Sequence, residues 1–214
     1  MTPPALESLR RIAQERLDAA HVPFSGEPTA ATVLLSDGTW VPGVRVESAA
    51  FPLTIPALLN AYTTAVTAGR ASDVTAFVLS RPLQRSEEAY LADLPGGPWQ
   101  ALAADAWVRG PQDDALSPPT TALDPFLDGL LPPPPDGTDE GIEQVRAVAE
   151  RAYVPASSYP VGALLELSDG HLLPGVNVEH PDWTRILCAE RNAVSTAYAY
   201  REPAVRRLFL TCTA

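Results

Sequence analysis

Residues 186–193 read Ile-Leu-Cys-Ala-Glu-Arg-Asn-Ala and open a helical pattern. A thiolate at a helix N-terminus is favoured by the helix dipole, which makes Cys188 a candidate metal ligand. Glu190 lies two residues on, in the same first turn, where its carboxylate can reach a water bound to a metal held by that thiolate. Three residues alone carry little specificity, because a single cysteine beside a helix is more often a small packing residue. Arg191 reads by itself as a helix-surface salt-bridge partner. Upstream, Asn177 and Glu179 stand in Gly-Val-Asn-Val-Glu, and Tyr159 stands in Ser-Ser-Tyr-Pro. Taken singly, the first two are equally well polar residues of a hairpin edge, and Tyr159 a ring packed under a loop.

The elements that must position these residues occur twice. VPFSGEPTAATVLLSDGTWVPGVRVESA from Val22 and VPASSYPVGALLELSDGHLLPGVNVEHP from Val154 align without a gap at an offset of 132. The register holds through Asn60/Asn192, Ala61/Ala193 and Phe77/Phe209, which identifies an internal duplication. In each copy an amphipathic helix (6–19; 142–152) precedes an apolar strand (30–35; 162–167). A Ser-Asp-Gly turn then leads to a second strand, as in a hairpin whose glycine accepts positive φ. A helix (57–68; 189–200) and a third strand (75–79; 208–212) follow. This α-β-β-α-β order predicts an α/β fold, two α/β/α sandwich repeats with mixed sheets. The first copy continues into a helix over 86–94 and a strand within 100–110, for which the second copy has no counterpart.

Between the copies, residues 111–136 read PQDDALSPPTTALDPFLDGLLPPPPD. Such proline density favours extended backbone over helix or sheet. The expected organisation is therefore a domain over 1–110, a proline-rich linker over 111–138, and a second domain over 139–214.

The net charge of −11 and the 15 basic against 26 acidic residues leave little material for a polyphosphate-binding surface. A small, neutral ligand is favoured over nucleic acid. No window approaches a membrane span and the N-terminus has no apolar leader-like stretch, so a cytoplasmic protein away from membranes is expected. Two cysteines do not make a disulfide framework. His21, His171 and His180 fall on loops or turns and read as solvated side chains, and Cys212 as a small strand residue.

The run AYVPASSYPVGALLELSDG, GVNVEH and ILCAERNAV resembles the cytidine deaminases of the zinc-dependent nucleoside type. Their comparable motifs are VPYSxFPVGAAL, GxNxE and CAER. The resemblance implies zinc as cofactor, with Cys188 as its first ligand and Glu190 as the general acid/base that moves a proton to N3 and then to the leaving amine. It implies that Asn177 and Glu179 hydrogen-bond the ribose, that Tyr159 flanks the pyrimidine in place of a Phe, and that Arg191 offsets thiolate charge beside the ligand. It further implies a homodimer of two-repeat chains, a pseudo-tetramer of repeats, working in pyrimidine salvage.

Two departures cut against activity. The family completes its zinc site with PCxxC after the third strand; the sequence contains none, and the counterpart of Pro82-Leu83-Gln84-Arg85-Ser86 would begin at Ala214. The second repeat is thus expected to be incomplete at its C-terminus. The first copy is degenerate, with Pro56 for the cysteine, Leu58 for the glutamate and Arg45 for the asparagine, while Glu47 remains. The sequence leaves two readings: a hydrolytic deaminase of cytidine or deoxycytidine, or a catalytically inactive nucleoside-binding or assembly protein of the same fold.

Overall fold

A computed structural model describes residues 4–110, 116–134, 136–202 and 204–212. Helix α1 (Pro4–Glu15) buries Leu6, Leu9 and Ala13 along one stripe. It lies on a sheet built from β1 (Ala30–Leu35), β2 (Trp40–Val44) and β3 (Val74–Leu79). Helix α2 (Ala57–Thr67) covers the opposite face. Because strand side chains alternate, Leu34, Ala76 and Val78 meet α1, while Val33, Leu35 and Phe77 point into the core on the α2 side. Helix α3 (Arg85–Ala92) leads to the hairpin β4 (Trp99–Ala103) and β5 (Ala106–Arg109).

The second unit repeats the first three layers. Helix α4 (Asp136–Ala149) packs Val145 on Leu164, Leu172 and Phe209. Strands β6 (Val161–Leu167), β7 (Leu172–Val176) and β8 (Val205–Cys212) form its sheet, and α5 (Ala189–Tyr200) meets Ala163, Leu165 and Leu167 on the other side. Helix α4 starts six residues before the position expected from the apolar periodicity. Gly137 and Gly141 are buried in that extra stretch, Gly141 beside the ring of Phe209.

The layering is the expected α/β sandwich, but the sheets are antiparallel rather than mixed. Strand order is β2-β1-β3-β5-β4 in one and β7-β6-β8 in the other, and every pairing between these strands is antiparallel. The reason lies in the β4–β5 hairpin. After α3 the chain runs out along the sheet edge as β4 and turns back, so β5 enters beside β3 in the opposite sense. Arg10 of α1 grips Asp105 in that turn with two 2.7 Å hydrogen bonds.

Helices α2 and α5 pack against each other and join the units through a shared core that includes Leu58, Tyr62, Val176, Val178 and Ala199. The contacts obey the repeat offset. Asn60 donates to the Ser195 carbonyl at 3.0 Å, and Asn192 donates to the Thr63 carbonyl at 3.3 Å. Each bond is the image of the other, so the units pair about a pseudo-twofold axis, as in an isologous dimer interface.

The proline-rich segment is an ordered strap where it is described. On β2 the Trp40 amide donates to the Thr121 carbonyl and the Trp40 carbonyl accepts from the Leu123 amide, and on β7 the Leu172 carbonyl accepts from the Leu127 amide. Trp40 and Leu172 are repeat equivalents, so one segment caps the same edge of both sheets.

Candidate functional site

Three segments of the second unit are laced together by backbone hydrogen bonds. Val178 and Leu187 exchange amides at 2.9 and 3.1 Å, which sets Asn177–Glu179 alongside the residue preceding Cys188. Tyr153 bridges Val178 in the parallel sense: its amide donates to the Asn177 carbonyl at 3.2 Å and its carbonyl accepts from the Glu179 amide at 2.8 Å. Gly175 then lets α5 close on β7. A Cβ there would meet the Ala189 carbonyl at 2.3 Å and the Ala193 amide at 2.6 Å, so only glycine fits.

Cys188 is the N-cap of α5, extended at φ −70° and ψ 155°, and its side chain makes no capping bond. Glu190 follows in the first turn. Burial pushes the Cys188 thiol above its ordinary value and the Glu190 carboxylate adds to the rise, while Arg191 pulls the other way. The lowering expected from the helix terminus does not prevail, because desolvation penalises the thiolate more strongly. Among the described residues Arg191 makes no ion pair: it hydrogen-bonds Cys188, and its Nη2 reaches across to the Leu53 carbonyl of the first unit at 2.5 Å.

Asn177 and Glu179 are already engaged. Asn177 Oδ1 accepts from the Val161 amide at 2.8 Å and its Nδ2 donates to the Tyr159 carbonyl at 3.0 Å. Glu179 accepts from the amides of Ala156 and Ser157 at 2.8 and 3.2 Å. Burial works against the Glu179 carboxylate, yet the Ser157 and Ala156 bonds outweigh it and hold the group below the usual carboxylate range. Both side chains thus clamp the 153–161 loop that carries Tyr159. Tyr159 is half-exposed and donates its hydroxyl to Cys212 Sγ at 3.1 Å, linking the loop to β8.

The first unit preserves the frame and Glu47, but has no counterpart of Asn177, Cys188 or Glu190. Pro56 caps α2 in the same extended conformation, φ −63° and ψ 148°. Glu47 accepts from the Phe24 and Ser25 amides, the repeat images of the Ala156 and Ser157 bonds, while Arg45 turns to Glu47 as an ion pair at 2.9 Å.

His171 is exposed, as a solvated turn residue should be, but His180 is not. Its ring is buried against Tyr90 with centroids 4.8 Å apart. Nδ1 accepts from the Asp182 amide at 3.0 Å, which leaves Nε2 to carry the proton toward the Tyr90 carbonyl, 3.4 Å away. His180 is therefore a core residue between units; its partner lies 90 positions away, out of reach of local sequence reading. His21 is exposed and lies 5.1 Å from the Tyr198 ring. Cys212 sits on β8 opposite Val161, a strand residue as expected. Asn60 and Asn192, conspicuous in the sequence only as identical positions, hold the units together.

Residues 137–214 match the family described as the cytidine and deoxycytidylate deaminase zinc-binding region. A cytidine deaminase of Halalkalibacterium halodurans is 40% identical over 58 residues, 27% of this chain and 44% of that protein. One from Sporosarcina psychrophila is 42% identical over 52 residues, 24% of this chain and 38% of that protein. Among solved structures, the cytidine deaminase of Burkholderia pseudomallei aligns at 23% identity and TM-score 0.37, covering 40% of this chain and 72% of that one. The Mycobacterium tuberculosis cytidine deaminase aligns at 27% identity and TM-score 0.34, covering 40% and 75%. The matched segment is of the zinc-binding deaminase class. The chain is similar to cytidine deaminases over that part of its length. It spans less than half the length of these two curated relatives.

Three protein ligands with one open position make a catalytic zinc site. Among the described residues no group of three His, Cys, Asp or Glu side chains is placed to hold an ion. Cys188 supplies one soft donor and Glu190 in the same turn one carboxylate, short of three. The described residues do not fit a catalytic zinc site.

Proposed function

We propose that the second unit is the nucleoside-recognising and proton-transferring part of a hydrolytic deaminase acting on cytidine or deoxycytidine. In that reaction water adds at C4, the C4–N4 bond breaks, and uridine or deoxyuridine and ammonia leave. The observation that carries the reading is the Val178–Leu187 bridge, which fixes Asn177 and Glu179 beside the Cys188–Glu190 turn. Glu190 is the group suited to carry a proton to N3 and onward to the departing amine. Asn177 and Glu179, stiffened by the loop they clamp, would meet the ribose hydroxyls. Tyr159, half-exposed on that loop, would face the base. The balance of 15 basic to 26 acidic residues favours a free nucleoside over a polynucleotide. We place the protein in the cytoplasm and in pyrimidine salvage on the same grounds of kinship, and read its working form as a homodimer.

A second reading is favoured by one observation, the single thiol donor at the site. In it the unit binds nucleosides, or serves assembly, without turnover. Absorbance loss of cytidine and deoxycytidine, followed with the purified chain with and without added zinc, separates the two. Turnover abolished by Glu190→Gln supports the deaminase. Saturable nucleoside binding without turnover supports the second reading, and absence of both sinks nucleoside recognition altogether.

A further inference from the structure

Strand β8 departs from the repeat register that the rest of the second unit keeps. On β3, Leu79 pairs with Ala31 and Phe77 with Val33, whereas on β8 Leu210 pairs with Ala163 and Leu208 with Leu165, the equivalents of Ala31 and Val33. A slip of one residue moves every side chain of a strand to the other face. Phe209, the sequence equivalent of Phe77, therefore packs toward α4. Leu208 and Leu210 take the structural places of Phe77 and Leu79, on the side of α5.

In the first unit those places are covered. Phe77 and Leu79 are fully buried, the Trp99 ring lies 4.8 Å from that of Phe77, and β5 pairs antiparallel along the outer edge of β3. In the second unit Leu208 and Leu210 are 50% and 48% exposed, and Val205 and Val194 of α5 are exposed as well. Among the described residues no strand pairs with the outer edge of β8. Such an edge is a template for another strand unless charge or proline blunts it, and Leu208–Cys212 contains neither.

The sequence of β8 is complementary to itself. Laid antiparallel about Phe209, Leu208 of each copy stands opposite Leu210 of the other, and the two Phe209 side chains meet. Opposed residues share a face, so four leucines line the α5 side of the joined sheet. Arg207 then faces Thr211 and Arg206 faces Cys212, so no arginine opposes another. We propose that β8 is a self-association surface, pairing antiparallel with β8 of a second copy in this register and joining the three-stranded sheets of two chains into one. The interface is isologous, as a closed twofold dimer requires. The proposal rests on the homodimer reading given above and supplies its surface.

Sedimentation equilibrium of the full chain over a range of concentrations measures the association, and the unaltered chain should dimerise. Leu208→Lys and Leu210→Glu each set a charge against leucine in the joined sheet. Each should raise the dimer dissociation constant at least about tenfold. The double variant Leu208→Lys/Leu210→Glu sets lysine opposite glutamate in this register and should recover the association. Both side chains are half-exposed in the single chain, so the fold should tolerate the changes, which an unchanged circular dichroism spectrum verifies. Leu130→Lys, at an exposed leucine of the strap, should leave the dimer intact. A chain monomeric at every concentration overturns the surface and the homodimer reading together. A dimer indifferent to both single variants keeps the homodimer and overturns this surface, as does an equal loss on Leu130→Lys. Loss in the single variants without recovery in the double overturns the register.

Discussion

Thr64 Oγ1 and Thr196 Oγ1 lie 2.8 Å apart, fully inside the protein, and the two residues are repeat equivalents. Equivalent atoms can touch only on the axis that relates the copies, so this pair marks the centre of the interface. Thr64 also approaches the Asn60 carbonyl at 2.9 Å. With that hydrogen directed to Asn60, Thr64 accepts and Thr196 donates.

That pairing predicts non-additive energetics. Thr64→Val strands the buried Thr196 hydroxyl and should cost about 1–3 kcal/mol, whereas Thr196→Val leaves Thr64 bonded to the Asn60 carbonyl and should cost less. The double valine variant removes both polar groups in similar shape and should cost less than the sum of the two. Urea denaturation of the four proteins gives the coupling energy directly. Strict additivity would mean that the hydroxyls do not interact.

Asn192 should matter more than Asn60. Its Nδ2 is fully buried and within reach of Val176 O at 2.9 Å, Thr67 Oγ1 at 2.8 Å and Thr63 O at 3.3 Å. Asn60 meets two carbonyls, Val44 O and Ser195 O. Asn192→Ala should destabilise by about 2–4 kcal/mol, and Asn60→Ala by less. Equal losses in thermal or urea unfolding would refute the ordering.

How far these features could be read from sequence depends on how local their causes are. The offset of 132 is visible because backbone constraints impose it. Gly43 and Gly175 recur where a helix terminus crosses a strand at 2.3 Å from any Cβ, and Gly38 and Gly170 recur in turns at φ 87° and 95°. The antiparallel entry of β5 was not legible, since it follows from where a hairpin docks. Nor was the engagement of Asn177 and Glu179 with their own loop, because the same polar side chains suit a ligand or a backbone amide equally well. His180 shows the converse: it looks solvated in sequence, and only Tyr90, brought in by α3, buries it.

Acid should loosen both clamped loops. The Ser25 hydroxyl and the amides of Ser25 and Phe24, helped by Arg45, hold Glu47 down to about 2 against the opposing pull of burial. Glu179 is shifted in the same direction. A carboxylate bound more tightly as the anion in the folded state contributes stability above its ordinary value of 4.5, and loses it as pH falls toward about 2. The urea midpoint should therefore fall through that window, and Glu47→Gln should flatten part of the slope. An unchanged slope in that variant would show that Glu47 is not bound preferentially as the anion.

The left-handed residues of the two copies make the last comparison. Gly26 has φ 68°, and its repeat equivalent Ser158 has φ 53°. Both terminate the same turn, with amide bonds of 3.0 Å to Val22 O and Val154 O. A side chain in this region costs about 1–2 kcal/mol, whereas glycine adopts it freely but gains unfolded-state entropy. The two effects oppose, and relief of strain is the larger. Ser158→Gly should stabilise the chain by about 0.5–1 kcal/mol, and Ser158→Val should destabilise it because β-branching worsens the clash. Ser158 is exposed, so no core contact confuses the result. A destabilising glycine in chemical denaturation would show that the strain is already relieved.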